Sequence, residues 1–488
     1  MIIGVDVGTS VTKASLLNRS GSALVTHSVS STLSRLPGGR VEQDLDEVVD
    51  SVVRVVRAVS ADAAAAGQPV EALAITGQGD GLWLRDHAGA QVGPALSWLD
   101  ARSADVLARW DADGVQRRVY QLTGSGMFPG SAGPLLAHLA EHEPERLRRA
   151  SVAGYCVDAI VQRFTGEITV DASDASLPFL DVPSRTYSAE ALDACGLTPY
   201  RGLLAEPAPA GKLFALDTAS AAALDLPSGL PVSAGPFDLP ACAFGSGIDE
   251  VGDGTLVIGT TLGCQVLRDE VSIDAGGEAA GMWLATPYQQ RYLRVMPAMV
   301  GTANLDWVLR TVGARLDELE ALLQASEPGA GGVSALSFLS GSGERAPFVE
   351  PRARGQFTGL SLETEPADLV RAMCEAVAYA ARHNLESAGL TGAVSACGGG
   401  ARSAAWSQIF ADVLGKPLHV PHEEGVGARG AAMTAWDALG EPIDRQEWAA
   451  QRRTVRPHPS AVEFYERGYR DYLASIERVR PVWQRGAQ

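Results

Sequence analysis

Residues 2–17 read IIGVDVGTSVTKASLL, and the fold turns on what that stretch becomes. Ile2, Ile3 and Val5 make a short run rich in β-branched residues, which favours a strand. Asp6 stands where that strand leaves its neighbours. Gly8, Thr9 and Ser10 then form a tight turn, in which Gly8 allows backbone to approach a ligand and two hydroxyls lie alongside. A second strand-like run carries Lys13. Such a turn brings N–H groups and hydroxyls near phosphate oxygens. Asp6 is placed to hold Mg²⁺ through water, because this ion dehydrates reluctantly, and Lys13 can add a point charge. Taken alone, the same residues also describe an ordinary hairpin closed by a Gly-Thr turn.

A second copy changes the balance. Residues 254–263 read GTLVIGTTLG, an apolar strand followed by Gly259, Thr260 and Thr261, then Gly263. One such hairpin in each half of the chain suggests two related lobes facing one nucleotide. With both hairpins, the sequence resembles the sugar kinase and actin-like ATPase superfamily, and within it the FGGY carbohydrate kinases, the group of xylulose, glycerol and erythritol kinases. The resemblance implies an α/β fold of two actin-like (ribonuclease H-like) ATPase domains with a cleft between them. Residues 1–247 would hold the sugar site, the phosphate hairpin and a catalytic aspartate, residues 248–440 the nucleotide, and 441–488 a helical tail.

Composition is compatible with this. A chain of 488 residues is too long for one core. The formal net charge of −18 argues against a nucleic acid or a membrane surface as partner. It leaves ATP open, since a few local cations and N–H groups suffice for phosphates. The six cysteines are scattered without a CxxC, as in a reducing cytosol, and suggest no zinc site. Neither a secretory signal nor a run of about 18 apolar residues is visible, so a cytoplasmic location is expected.

Along the chain, Asp44-Leu45-Asp46-Glu47 reads as a capping box opening a helix that Gly67 stops. A strand over 70–76 follows and ends in Gly77-Gln78-Gly79-Asp80-Gly81. A glycine loop with polar groups at a strand's carboxyl end makes Gln78 and Asp80 candidates for a hydroxylated substrate, although a polar surface turn would read the same way. Family members carry a Gly-Gln pair here, and typical xylulose kinases follow it with Met-His. Gly79-Asp80 in that place looks more like erythritol and L-xylulose kinases. Gly79 is expected to leave the pocket roomier, and Asp80, acceptor-only, to grip two adjacent hydroxyls. The resemblance also puts Trp98, Asp100 and Arg102 near the sugar, with Arg102 holding Asp100. A surface ion pair beside a core tryptophan is the alternative. His138 and His142 lie one turn apart on an amphipathic helix and read as a solvated face, because no third ligand sits at useful spacing. The acid-and-serine run 171–176 is assigned structure.

Residues 230–235 form a short strand that breaks at Pro236-Phe237-Asp238 before a helix. The resemblance makes Asp238 the catalytic aspartate, a role compatible with capping that helix, and Phe237 is grouped with the substrate residues. In the second half it assigns Gly301 and Asn304 to the nucleotide and treats the Gly-Glu-Arg-x-Pro stretch at 343–347 as structural. A long helix starts near Pro366, marked by Thr364. Gly398-Gly399-Gly400, with Ala401 and Ser403, forms a turn where adenosine can lie against backbone, and residues 424–428 extend that match.

The implied activity is ATP- and Mg²⁺-dependent phosphorylation of a hydroxyl on a pentulose or on a four- to five-carbon polyol, with D-xylulose itself as the alternative substrate. A homodimer is one open possibility. A chaperone-type ATPase on the same fold would need a further peptide-binding domain, and a silent sugar sensor would lack the base or a phosphate turn.

Overall fold

Both hairpins are strands at the heart of separate sheets. Ile2–Val7 pairs antiparallel with Val11–Leu17 and parallel with Ala72–Gly77. Gly254–Ile258 pairs antiparallel with Leu262–Arg268 and parallel with Val394–Cys397. The same local topology is thus built twice, and the chain is an α/β protein of two ribonuclease H-like units. The computed structural model describes all residues except 275, 423–424, 442, 445–446, 449–451 and 486–488.

The first unit comprises Met1–Gly247, Asp269–Leu293 and Gly425–Ala450. Its main sheet runs in the order Leu213–Ala215, Pro231–Ala234, Ala72–Gly77, Ile2–Val7, Val11–Leu17, Ala23–Ser30. Ile2, Ile3 and Val5 are fully buried, as expected of a strand covered on both faces. The helix Leu45–Ala65 adds its valines to that core, and the Asp44 side chain caps it by accepting from the N–H groups of Asp46 and Glu47.

Residues 425–450 join this unit although they lie near the end of the chain, and small residues are the reason. The helix Val426–Ala438 approaches so closely that a Cβ on Gly4 would stand 2.5 Å from the Ala428 carbonyl oxygen. Gly245 meets the backbone of Val426 and Gly430 that of Ala241 in the same way. Any side chain at these positions would separate the helix from the strand and from its partner helix Asp238–Gly245. Of the nucleotide-side match at 424–428, Glu424 lies outside the described residues, and Gly425 to Ala428 belong to the first unit.

The second unit comprises Ile248–Arg268, Arg294–Glu424 and Gln451–Gln488. Its sheet includes, in order, Leu262–Arg268, Gly254–Ile258, Val394–Cys397, Leu418–Pro421 and Arg452–Val455. The long helix is Pro366–Ser387. Glu365, not Thr364, is its cap, in a reciprocal box with Asp368. The C-terminal helix Pro459–Arg485 buries Tyr465, Tyr469, Tyr472 and Ile476 in this unit's core. Its polar sequence hides an apolar stripe at spacings of three and four.

Candidate functional site

The first turn is closed by the Gly8 N–H donating to Val11 O at 3.1 Å. Asp6 and Lys13 face each other across the two strands. Burial pushes the Asp6 carboxyl above its ordinary value, and the Lys13 cation opposes that. A Cβ on Gly427 would lie 2.7 Å from Asp6 Oδ2, so the helix start leaves only glycine's width beside that carboxylate. Ser10 is exposed, whereas Thr9 is half-buried and already engaged. The Thr9 hydroxyl accepts from Trp98 Nε1 at 2.8 Å and donates to Gln78 Oε1 at 3.0 Å.

Asp238 stands at the first residue of the helix Asp238–Gly245. It follows a sharply turned loop in which Gly235 has φ of +92°, and a Cβ there would stand 2.8 Å from the Asp171 Cβ. Two hydroxyls hold this loop. Thr76 Oγ1 donates to Pro236 O at 2.6 Å, and Ser173 Oγ accepts from the Phe237 N–H at 3.3 Å. Phe237, not Asp238, occupies the capping position. The Asp238 carboxyl is pushed up to about 7, first by burial and next by the Asp6 charge, against the Leu239 N–H, with Asp80 adding a smaller upward push. A carboxylate poised near neutrality, in the field of two other acids, suits proton acceptance from an alcohol.

The substrate-side residues divide. Asp80 is half-buried with a left-handed φ of +57°. Gly79 does not leave room: the Phe237 ring fills the space its side chain would take, overlapping at Cδ2 and 2.7 Å away at Cε2. The expected widening is therefore wrong, and Phe237, 3 % exposed, is the packing partner that requires glycine there. Asp100 is a clamp. Its Oδ1 accepts from Arg102 N and Nε and its Oδ2 from Val41 N and Arg102 Nη2, at 2.7–2.9 Å. Arg102 also reaches Glu42 at 2.6 Å. Four donors saturate the two oxygens, so Asp100 fixes the 39–42 loop rather than offering a free acceptor.

In the second unit, Gly301 N donates to Thr260 O and Thr302 N to Gly259 O, both at 2.7 Å. A Cβ on Gly301 would lie 2.5 Å from Gly259 O and 2.6 Å from Thr261 O, so Gly301 is what lets the helix Thr302–Val312 dock on the second turn. Asn304 is fully buried, and its Oδ1 has no hydrogen-bond partner among the described residues. Gly400 packs on Ile258 and Trp406, while Gly399 faces open space. Ala401 is buried, its carbonyl accepting from Ser407 Oγ at 3.0 Å. Ser403 Oγ caps the helix Ala404–Leu414, accepting from Trp406 N at 3.0 Å.

The N-terminal domain of the FGGY family of carbohydrate kinases matches residues 1–245, and its C-terminal domain matches 256–439. The chain belongs to that family. It is 32% identical to an erythritol kinase of Brucella abortus, over 99% of this chain and 97% of the relative. It is 33% identical to a xylulose kinase of Escherichia coli, over 89% of each. The solved structure of a xylulose kinase from Rhodospirillum rubrum superposes with a TM-score of 0.89 at 28% identity, over 99% of this chain and 100% of that one. The protein is thus an ATP-dependent carbohydrate kinase. Among its described residues, no helix is long and apolar enough to cross a membrane.

Two further residues of this FGGY kinase stand out: Asp174, within the run read as structural, and Gln43, which the sequence reading did not single out. Asp174 is fully buried, and among the described residues neither of its carboxylate oxygens has a hydrogen-bond partner. Burial and the charges of Asp158, Asp171, Asp80 and Asp238 push its carboxyl well up. Gln43, 2 % exposed, accepts from Gln78 Nε2 at 2.9 Å. Neither carries a local motif; only the fold brings them together with the loops. The Gly79–Phe237 contact gives a direct test. Gly79→Ala should cost about 1–3 kcal/mol by overpacking and lower turnover by displacing the residue next to Asp238. Denaturant titration and steady-state kinetics would show both, and an unperturbed variant would mean that the ring yields freely.

Proposed function

We propose that this kinase transfers the γ-phosphoryl group of ATP to a hydroxyl of a four- or five-carbon polyol or an L-configured ketulose. Asp238 accepts the hydroxyl proton as the oxygen–phosphorus bond forms and the bond to ADP breaks. The single observation that carries this reading is Asp238 itself, presented at a strand-to-helix turn beside Asp6 and Asp80 with a carboxyl near 7. Gln78 and Asp80 orient the alcohol, with Trp98, Asp100, Arg102 and Phe237 shaping their surroundings. Gly8, Thr9, Ser10 and Lys13 are assigned to the phosphates, as are Gly259, Thr260 and Thr261. Gly301, Asn304, Gly399, Gly400, Ala401 and Ser403 are assigned to the nucleotide. The chain's similarity to an erythritol kinase and to an L-xylulose/3-keto-L-gulonate kinase, the latter at 29% identity, supports the substrate class.

Asp6 fits Mg²⁺. It is a half-buried carboxylate with glycine on one side. That suits an ion which keeps most of its water and takes one carboxylate plus phosphates. When bound, Mg²⁺ neutralises charge on the transferring phosphoryl group. Asp6→Asn should raise the Mg²⁺ concentration for half-maximal rate by at least about 10-fold. A metal titration at saturating ATP would detect it, and an unchanged midpoint would take Asp6 out of the metal site. The substrate is tested by coupled ADP release with erythritol, other C4–C5 polyols, L-xylulose and D-xylulose. A preference for D-xylulose over all others would make this a D-xylulose kinase and overturn the substrate reading.

A further inference from the structure

Four side chains in the first unit form one directed hydrogen-bond chain. Trp98 Nε1 donates to Thr9 Oγ1 at 2.8 Å, Thr9 to Gln78 Oε1 at 3.0 Å, and Gln78 Nε2 to Gln43 Oε1 at 2.9 Å. The indole N–H can only donate, so the Thr9 oxygen accepts at the head of the chain. In the arrangement seen, Thr9 gives its one proton to Gln78, and both amides are oriented to match. The chain ends on Gln43 Nε2, which is buried and has no acceptor among the described residues.

That idle donor gives the chain a second arrangement with the same number of bonds among these four side chains, in which the Cys156 thiol, now accepting from Gln78 Nε2 at 3.9 Å, turns from acceptor to donor. If both amides turn over, Gln43 donates to Gln78 Oε1, Gln78 Nε2 donates to Thr9, and the Thr9 proton is released outward. A phosphate oxygen is acceptor-only, so Thr9 can bond it through its hydroxyl only in the second arrangement. We propose that Thr9, Gln78 and Gln43 form a two-state relay that arms the Thr9 hydroxyl for phosphate and so couples nucleotide binding to the acceptor alcohol at Gln78. This rests on the assignment above of Thr9 to phosphate and Gln78 to the alcohol. Thr9 and Gln43 act here as positioning residues. By linkage, alcohol and nucleotide alter each other's affinity by the same factor.

Calorimetric titration of the full chain with Mg²⁺–AMP-PNP, with and without whichever of erythritol and L-xylulose is turned over, measures that factor. One hydrogen bond gained corresponds to roughly a 3- to 10-fold tightening in the wild type. Thr9→Ser keeps the factor and Thr9→Val removes it. Gln43→Glu, an acceptor-only end that holds Gln78 in the observed orientation, weakens AMP-PNP and removes the factor although Gln43 is assigned to neither ligand. Persistence of the factor in Thr9→Val, or a wild-type response in Gln43→Glu, overturns the relay. If Gln43→Glu does not fold, the Thr9→Val and Thr9→Ser pair decides. An AMP-PNP affinity unchanged by Thr9→Val sinks the phosphate assignment and the relay together. A weakened affinity with the factor intact sinks the relay alone.

Discussion

Asp238→Asn is expected to lower turnover by at least about 10²-fold, the scale of a lost general base, while affinity for Mg²⁺–ATP stays near that of the wild type. Asparagine keeps the size and an oxygen for the Leu239 N–H but cannot take the proton. In the wild type the rate should rise with pH through the region near 7, where the Asp238 carboxyl ionises. A cation at Asp6 removes the second-largest upward push, so saturating Mg²⁺ should move this rise to lower pH. The same shift has a cost in stability. Because the folded-state value lies above the ordinary 3.8, the folded chain binds more protons than the unfolded one between about 4 and 7, and stability falls as pH rises through that window. Asp238→Asn escapes this loss, so the inactive variant should melt above the wild type at pH 8 and lose that advantage at pH 4. Turnover close to wild type at saturating substrates would remove Asp238 from the chemistry. Equal melting temperatures at both pH values would mean that the carboxyl is not raised.

Both hairpins were legible in the sequence because they are local: apolar strand, glycine, hydroxyls and return strand lie within a dozen residues. Asp238 was legible for the same reason, as a break between a strand and a helix, together with a family resemblance. What failed depends on contacts distant in sequence. Gly79 looked like open space, yet the ring of Phe237, about 160 residues away, fills it. Asp100 was read as held by Arg102, which it is, but the Val41 N–H that takes up the rest of its acceptor capacity comes from a loop about 60 residues away. Residues 425–428 read as an extension of the nucleotide-side match, but Gly4, Gly245 and Gly430 admit the helix Val426–Ala438 into the first unit, with Gly427 against Asp6. Spacing in one chain cannot show which glycine a ring or a carbonyl will occupy, so these assignments required the fold.

Asp80 tests the substrate reading most sharply. Losing a carboxylate that accepts from two adjacent hydroxyls should cost about 2–4 kcal/mol of transition-state binding, roughly 30- to 1,000-fold in kcat/KM, with ATP binding spared. Its backbone complicates the obvious variant. At φ of +57°, alanine adds about 1–2 kcal/mol of left-handed strain, which would blur a binding loss with a distorted loop. An asparagine in its place tolerates that conformation and keeps one acceptor oxygen, so Asp80→Asn isolates the charge. The expected order of efficiency is wild type above Asp80→Asn above Asp80→Ala with the preferred polyol or L-ketulose. The gap between wild type and Asp80→Asn should narrow for analogues lacking one of the two hydroxyls. A second readout separates direct contact from loop packing. Asp80 also helps raise the Asp238 carboxyl, so Asp80→Asn should shift the acid limb of the pH–rate profile downward, whereas loss of packing alone would leave it in place. If Asp80→Asn loses no efficiency on the preferred substrate, Asp80 does not grip the alcohol, and substrate choice must then be sought elsewhere in the loop that Phe237 and Gly79 hold.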